Sequence, residues 1–307
     1  MAITVVGSIA IDNIETPFNK VSNVLGGSVS FFSLAACFLT EVRIIGVVGS
    51  DFSQNYFEVF KKKSIDISQI KIKEGKTFHW EGKYDYNLSD PKTLNTELGV
   101  FSDFQPIIPE NFKNDILFLA NIDPDIQLNI LKQMNSSRLI VLDTMNFWIE
   151  SKKEKLLKVI ENADIFIINS SEARLLTNQA SVFSAAKSIL NLGPKTLIIK
   201  RGECGAAMFT GNKFFIVPAY PLEDIKDPTG AGDSFAGGFL GYIDNTGDIS
   251  FENFKKALVF GNIMASYTVE DFSVNKLLNI SLNDLRNRFN KFKEITHFEN
   301  IYNEIIK

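Results

Sequence analysis

The run Asp227-Pro228-Thr229-Gly230-Ala231-Gly232-Asp233 leads directly into the apolar segment Ser234-Phe235-Ala236-Gly237-Gly238-Phe239. Glycines at 230 and 232 let the backbone approach a ligand closely, so that successive N–H groups can converge on one anion. A helix starting there adds partial positive charge at its N-terminus. Asp233 puts a carboxylate at the same junction. This pairing suits proton transfer beside a phosphate: the carboxylate takes a hydroxyl proton while fixed donors hold the charge that develops. Asp233 is therefore the candidate general base, and Gly230, Ala231 and Gly232 are the candidate anion hole. A bare Gly-x-Gly-Asp fits an ordinary capped helix start equally well. The preceding Asp227-Pro228-Thr229 lengthens the loop, and Pro228 stiffens it by fixing its own φ.

Rival chemistries find little to build on. No G-x-x-x-x-G-K-[ST] occurs, which excludes a P-loop at the level of motif. Gly7-Ser8-Ile9 lacks the spaced glycines of a dinucleotide fingerprint, and Phe235 stands where the third glycine of the later run would fall. His79 and His297 are the only histidines, too few for a histidine metal cluster or relay. Cys37 and Cys204 lie far apart without a C-x-x-C and read as small buried hydrophobes. A net charge of −4 with scattered Lys and Arg offers no basic stripe to a nucleic acid. No apolar run approaches membrane-spanning length, and Ile3-Thr4-Val5-Val6 opens the chain without a basic leader. The expectation is a cytoplasmic protein whose partners include neither membrane nor nucleic acid.

The elements that must position these residues follow from periodicity. At 307 residues, 45% hydrophobic and 22% charged, the chain can bury the core of one large globular α/β domain with an appendage. Ile-, Val- and Leu-rich runs alternate with helical patterns, the signature of a mostly parallel sheet covered by helices. Strands are expected at Ile3 to Gly7, Val42 to Val48, Ile116 to Ala120, Leu139 to Asp143, Ile165 to Asn169, Thr196 to Lys200 and Ala206 to Thr210. Phe214 to Pro218 should pair with the last through the Gly211-Asn212 turn. Helices are expected near Ser28 to Thr40, Ser53 to Lys63, Asp125 to Met134, Glu154 to Asn162, Ser171 to Leu176, Val182 to Leu190, Asp233 to Tyr242, Phe251 to Tyr267 and from Leu282 to Lys293 or beyond. Two stretches break the rhythm. Residues 13–25 and 77–110 are polar, aromatic and strand-like, with Thr77 to Tyr84 and Thr93 to Phe101 as strands of a small β-layer. Its natural uses are a lid over the carboxyl edge of the main sheet or a homodimer contact.

Taken in order along the chain, Gly7-Ser8-Ile9-Ala10-Ile11-Asp12, Gly26-Gly27-Ser28, Asn169-Ser170-Ser171-Glu172, Lys200-Arg201-Gly202-Glu203-Cys204-Gly205 and Asp227 to Asp233 resemble the motifs of the PfkB, or ribokinase-like, family of small-molecule kinases. The resemblance covers nearly the whole chain. It implies a ribokinase-like three-layer α/β/α sandwich with a mostly parallel central sheet and a small β-strand lid, forming one kinase domain over 1–307. The implied reaction is ATP-dependent phosphorylation of a hydroxyl on a small sugar or sugar-like acceptor. A nucleoside kinase of the adenosine kinase type, or a catalytically idle sugar- or nucleotide-binding relative, is the alternative.

The resemblance also distributes roles. Asp12, Gly26, Gly27 and Ser28 fall to the acceptor. Asn169 and Glu172 fall to phosphates and Mg²⁺, with Glu172 reaching the ion through water, in keeping with a cation usually held by one or two carboxylates plus waters and phosphates. As residues alone, Asn169 to Glu172 is equally a capped helix start. Lys200, Gly202, Gly205, Thr229 and Asn262 fall to the nucleotide, and Asp227 with Thr229 to a monovalent cation such as K⁺. One position departs from the pattern. Ribokinases and adenosine kinases have a sugar-binding Asn shortly after the paired glycines, where this chain has Phe31. Phenylalanine cannot make that hydrogen bond, so Ser28, Ser30 or lid residues would have to, and Phe31 or Trp80 could instead stack on a ring.

Overall fold

Short apolar runs, buried on both faces, build the centre of the molecule. The computed structural model describes residues 2–88, 90–134 and 136–297. Its strands in chain order are Ala2–Val6 (β1), Ala10–Glu15 (β2), Lys20–Gly26 (β3), Glu41–Gly49 (β4), Asp66–Lys73 (β5), Phe78–Lys83 (β6), Lys92–Glu97 (β7), Ile116–Leu119 (β8), Leu139–Asp143 (β9), Ile165–Asn169 (β10), Thr196–Lys200 (β11), Ala206–Thr210 (β12) and Lys213–Val217 (β13). Nine of these form one sheet in the order β13-β12-β11-β10-β9-β8-β1-β4-β5. Pairing is parallel from β11 to β5 and antiparallel for the β12–β13 edge.

Successive residues of a strand enter opposite cores, which is why the strands read as continuous apolar runs. Ile165 and Ile167 join one core with Phe31, Phe32, Phe235 and Phe239. Phe166 and Ile168 join the other with Ile130, Leu156 and Ile189. The first core is covered by the helices Ser28–Ala36, Ala231–Thr246 and Phe251–Thr268, and the second by Pro124–Gln133, Lys153–Glu161 and Val182–Leu190. The result is three layers, helices on both sides of a mostly parallel sheet, as expected.

The remaining strands form a second sheet in the order β3-β2-β6-β7. Its inner face adds a small core of Ile14, Tyr84 and Phe272, flanked by Val21, Val24, Trp80 and Leu88. The alternate residues carry charge: Lys20 pairs with Glu15 and with Glu81 at 3.6 Å each, and Lys83 with Glu15 at 2.5 Å.

Several expectations need correcting. β5 is absent from the sequence reading, because Asp66-Ile67-Ser68-Gln69-Ile70-Lys71 alternates polar and apolar residues at a sheet edge and lacks a buried run. The expected strand Thr93 to Phe101 stops at Glu97; Gly99, at φ 52°, opens a 3₁₀ turn, Gly99–Asp103, that buries Val100 and Phe101. The first long helix ends at Ala36 instead of Thr40, and the helix that follows the Gly230-Ala231-Gly232 loop runs to Thr246, where Gly247 caps it in the left-handed region. Short helices at Asn146–Ser151 and Asn275–Asn279 are additional. Cys204 is exposed in the turn Gly202–Cys204 and Cys37 is half-buried, so neither is the fully buried hydrophobe expected. Among the described residues no helix is long and apolar enough to cross a membrane. The ends of the expected 1–307 domain, Met1 and residues 298–307, lie outside the described residues.

Candidate active site

Three parallel strands end in polar side chains at one edge of the main sheet. β9 ends at Asp143, β10 at Asn169 and β11 at Lys200, with Asn169 in register with Lys200. That is the carboxyl edge, where open α/β sheets hold ligands. Lys200 Nζ donates to Asp143 Oδ2 at 3.0 Å, and both side chains are largely buried. The ammonium lies 2.8 Å from the position that a Cβ on Gly232 would occupy, which sets it directly beside the glycine loop. Burial opposes its charge, but Asp143, Glu172 and Asp233 outweigh burial and hold the lysine above its ordinary pKa.

The carboxylates show the reverse balance. Burial pushes Asp233 up to about 7, with Asp143 adding to the rise and Lys200 and the residue's own N–H opposing it. Burial likewise lifts Glu172 to about 7, against the pull of Lys200. Glu172 and Asn169 form a capping box at the start of the helix Ser170–Thr177: Glu172 N–H donates to Asn169 Oδ1 at 2.8 Å and Asn169 N–H to Glu172 Oε2 at 2.9 Å. The geometry shows the capped helix start, and the cap fixes the carboxylate near Lys200 and Asp143.

The glycine loop is clasped from several directions. Gly230, at φ 74°, caps the helix Ala231–Thr246 in a conformation that side chains disfavour. A Cβ there would also lie 2.2 Å from Phe31 Cγ, so the Phe31 ring is the floor of the loop. Ala231 N–H closes a turn on the Pro228 carbonyl at 3.2 Å and Ser234 N–H donates to Gly230 at 2.8 Å. Of the first-turn amides in the helix, that of Gly232 is therefore left directed outward from the N-terminus, where an anion is favoured, while that of Asp233 serves its own carboxylate. Asp227 is fully buried and accepts from Thr229 N–H at 2.9 Å and Ser273 N–H at 3.2 Å. Thr229 Oγ1 donates to the hydroxyl of Tyr84, from the second sheet, at 3.1 Å.

Asp12 lies on β2 of that sheet, 3% exposed, and accepts from Gly27 N–H. Gly26 has no room for a side chain: a Cβ would sit 1.8 Å from Asp12 Oδ2. Burial, then the charge of Asp227 and more weakly that of Asp233, lift Asp12 to about 8 in spite of the Gly27 bond. Asp12, Asp227 and Asp233 thus share one electrostatic neighbourhood, although Asp12 lies more than two hundred residues from the other two in the chain.

Other expected residues are placed differently. Ser28 Oγ pairs with Ser8 Oγ at 3.2 Å and Ser30 Oγ donates to Gly26 O at 2.7 Å, so both hydroxyls tie down the paired-glycine turn. Phe31 is 1% exposed and packs beneath Gly230. Gly202 and Gly205 bracket the turn after Lys200, where Arg201 N–H donates to Gly205 O at 2.7 Å. Asn262 is buried, and its amide donates one turn back to Leu258 O at 3.2 Å. The sequence reading omits Asp143, Tyr84 and Ser273. Asp143 had a usable signal, a carboxylate closing an apolar strand; the other two join the site only through tertiary contacts.

Comparison with known proteins bears on this geometry. Residues 3–279 match the model of the pfkB family carbohydrate kinases. The cytidine kinase of Thermococcus kodakarensis is 30% identical over 247 residues, covering 78% of this chain and 87% of that protein. The crystal structure of the Methanocaldococcus jannaschii nucleoside kinase superposes with a TM-score of 0.76 at 23% identity, covering 94% of this chain and 98% of the other. An E. coli protein solved with ATP and Mg²⁺ gives a TM-score of 0.77 at 19% identity, over 94% and 99% of the two chains.

Proposed function

The chain belongs to the pfkB family of carbohydrate kinases, phosphotransferases with an alcohol group as acceptor, and from that premise we propose that it moves the terminal phosphoryl group of ATP to a nucleoside hydroxyl, with Asp233 as general base. The observation that carries this reading is the meeting of the Asp233 carboxylate, the outward amide of Gly232 and the buried Lys200 ammonium within one loop's reach. The acceptor hydroxyl loses its proton to Asp233 as its oxygen bonds to the γ-phosphorus; the bond from that phosphorus to the bridging oxygen breaks, and ADP leaves with the electron pair. Lys200 and the loop amides hold the charge on the transferring group. Asp12 binds further hydroxyls of the acceptor, next to the Gly26-Gly27 backbone.

Nucleosides are favoured over free sugars on two grounds. The relative with 30% identity over most of the chain is a cytidine kinase. Trp80 lies opposite Asp12 in the β2–β6 register and offers an aromatic surface beside it on which a base can stack, while Phe31 in place of the Asn bears on sugar and nucleoside acceptors alike.

The residues fit a hard cation that keeps most of its water. Among the described residues no cluster of three His, Cys, Asp or Glu could cage a metal, while Glu172 stands buried with one oxygen engaged by its cap. Glu172, positioned by Asn169, would hold a magnesium ion entering with the nucleotide through water, and the ion would neutralise part of the phosphate charge. The crystal structure of an E. coli protein of the same fold with ATP and Mg²⁺ supports that assignment. Asp227, which faces no ammonium among the described residues, and Thr229 are the place for a potassium ion.

The test is ATP turnover against a panel of cytidine and other nucleosides, pentoses, hexoses, hexose phosphates and inositols, in potassium chloride and in tetramethylammonium chloride. Asp233→Asn should fold and lose about 10²- to 10⁴-fold in kcat, the usual worth of a positioned base. Undiminished turnover by that variant would remove Asp233 from the role; turnover confined to free sugars would remove the nucleoside; equal rates in both salts would remove the potassium.

A further inference from the structure

Tyr84 belongs to none of the motifs, yet it joins the two halves of the site. In the register of β2 and β6, Asp12 lies opposite Trp80 and Ile14 opposite Gly82. Side chains alternate along a strand, so Tyr84, two residues beyond Gly82, continues the row that holds Asp12 and Ile14. Its N–H donates to Glu15 O at 2.8 Å, carrying the pairing one residue past β6. Its ring, 5% exposed, packs with Ile14 and Phe272, and Phe272 precedes the Ser273 whose N–H holds Asp227. Its hydroxyl accepts from Thr229 Oγ1 at 3.1 Å.

Thr229 is the residue before Gly230, and its own N–H is bound by Asp227. Regular secondary structure fixes neither side of this contact, since Tyr84 lies just after a strand and Thr229 lies in the loop before a helix. A buried ring here would pack as well without a hydroxyl, and a phenol in such a place is retained where it has a partner to satisfy. The partner is the anion loop.

We propose that Tyr84 is a positioning residue that holds the Thr229-Gly230 backbone at a fixed distance from Asp12, so that an acceptor bound on the small sheet and a phosphate bound on the loop meet at Asp233. The proposal rests on the phosphotransfer reading given above. It assigns no contact between Tyr84 and either substrate. Loss of the hydroxyl leaves both binding sites intact and loosens their relative placement, and transfer across a pre-set gap is sensitive to such looseness.

Tyr84→Phe keeps the ring and removes only the hydroxyl. Amide exchange at residues 229–231 in the ligand-free protein should speed up about tenfold, the loss expected for one hydrogen bond. In steady state kcat should fall by a similar factor, with KM for ATP and for the acceptor within about twofold, the mark of an interaction used on the way to the transition state. Thr229→Val, which also removes a hydroxyl from Asp227 and the proposed cation site, should lose at least as much, and adding Tyr84→Phe to it should lose nothing further. Unchanged exchange, unchanged kcat or additive losses in the double variant would each overturn the proposal. Should the parent protein phosphorylate no member of the panel, the function proposed above fails, and with it the kinetic role of Tyr84; the exchange measurement still decides separately whether the tie exists.

Discussion

In the function proposed above, the half of the site assigned to phosphate and the half assigned to the acceptor are built in opposite ways. On the phosphate side, Asp143, Asn169 and Lys200 each terminate a buried strand, so the packing of the main sheet fixes them with no adjustable parts. On the acceptor side, Asp12 belongs to a four-stranded sheet whose outermost strand, β7, is exposed at every residue. That sheet joins the rest through Leu25 and Ile11 in one core, Phe78 against the other, and hydrogen bonds such as Tyr84 with Thr229 and Ser273 with Leu25. Under that proposal, a phosphate end fixed by the main sheet and an acceptor end built on a separate sheet would let one reaction serve many acceptors, because the second can change without disturbing the first.

The comparison breaks most visibly at Lys200. Lys200→Met should lower kcat/KM for ATP about 10²-fold, the scale for losing a buried charge contact, while leaving the acceptor KM unchanged. It should also destabilise the protein, because Asp143 is then buried without its counter-ion, at a cost of about 3–5 kcal/mol. Lys200→Met combined with Asp143→Asn removes both charges; thermal stability should return while ATP utilisation does not. Equal loss toward ATP and acceptor in the single variant would show that the halves are not separable.

Gly26→Ala probes the other side with a smaller effect. Its Cβ would sit 1.8 Å from Asp12 Oδ2, so the carboxylate must swing away from the Gly27 amide. Loss of a charge-assisted hydrogen bond predicts about a tenfold or greater fall in kcat/KM for the acceptor. KM for ATP should hold. A parallel rise in both KM values would mean that the glycine pair shapes the phosphate site as well.

How far each half could be read from the sequence follows the same division. The phosphate side is local: Asn169 and Glu172 share one capping box, Gly230 to Asp233 share one helix start, and Lys200 follows one apolar run. Such signals survive in a linear pattern, and the main sheet was legible for the same reason. The acceptor side depends on partners that the pattern does not name. Phe31, expected at the acceptor, has Gly230 lying on its ring, a contact the pattern does not show. Ser28 and Ser30 looked free until the turn claimed their hydroxyls. Tyr84 carried no signal at all, because 145 residues separate it from Thr229.

The pH dependence of stability gives the finest contrast between the halves. Asp12, lifted to about 8 mainly by burial and then by Asp227, has no cation among the causes acting on it, whereas Asp233, lifted to about 7, has Lys200 opposing the rise. Both folded-state values exceed those of an unfolded chain, near 4. A group raised in this way contributes stability that is complete below about pH 4 and is lost as pH rises through the folded value. Between pH 5 and pH 9 the ligand-free protein should therefore lose stability. Asp12→Asn and Asp233→Asn each remove one of these titrations, so the gain over the parent should be small at pH 5 and largest at pH 9. Because Asp12 has the higher folded-state value, its substitution should raise the pH 9 melting temperature more, by about 2–5 °C, a shift in the range of one or two kcal/mol for a chain of this size. Thermal melts of both variants across that range decide the order. A larger gain from Asp233→Asn would place the greater electrostatic strain beside the phosphate instead, and would mean that Lys200 compensates Asp233 less than its position suggests.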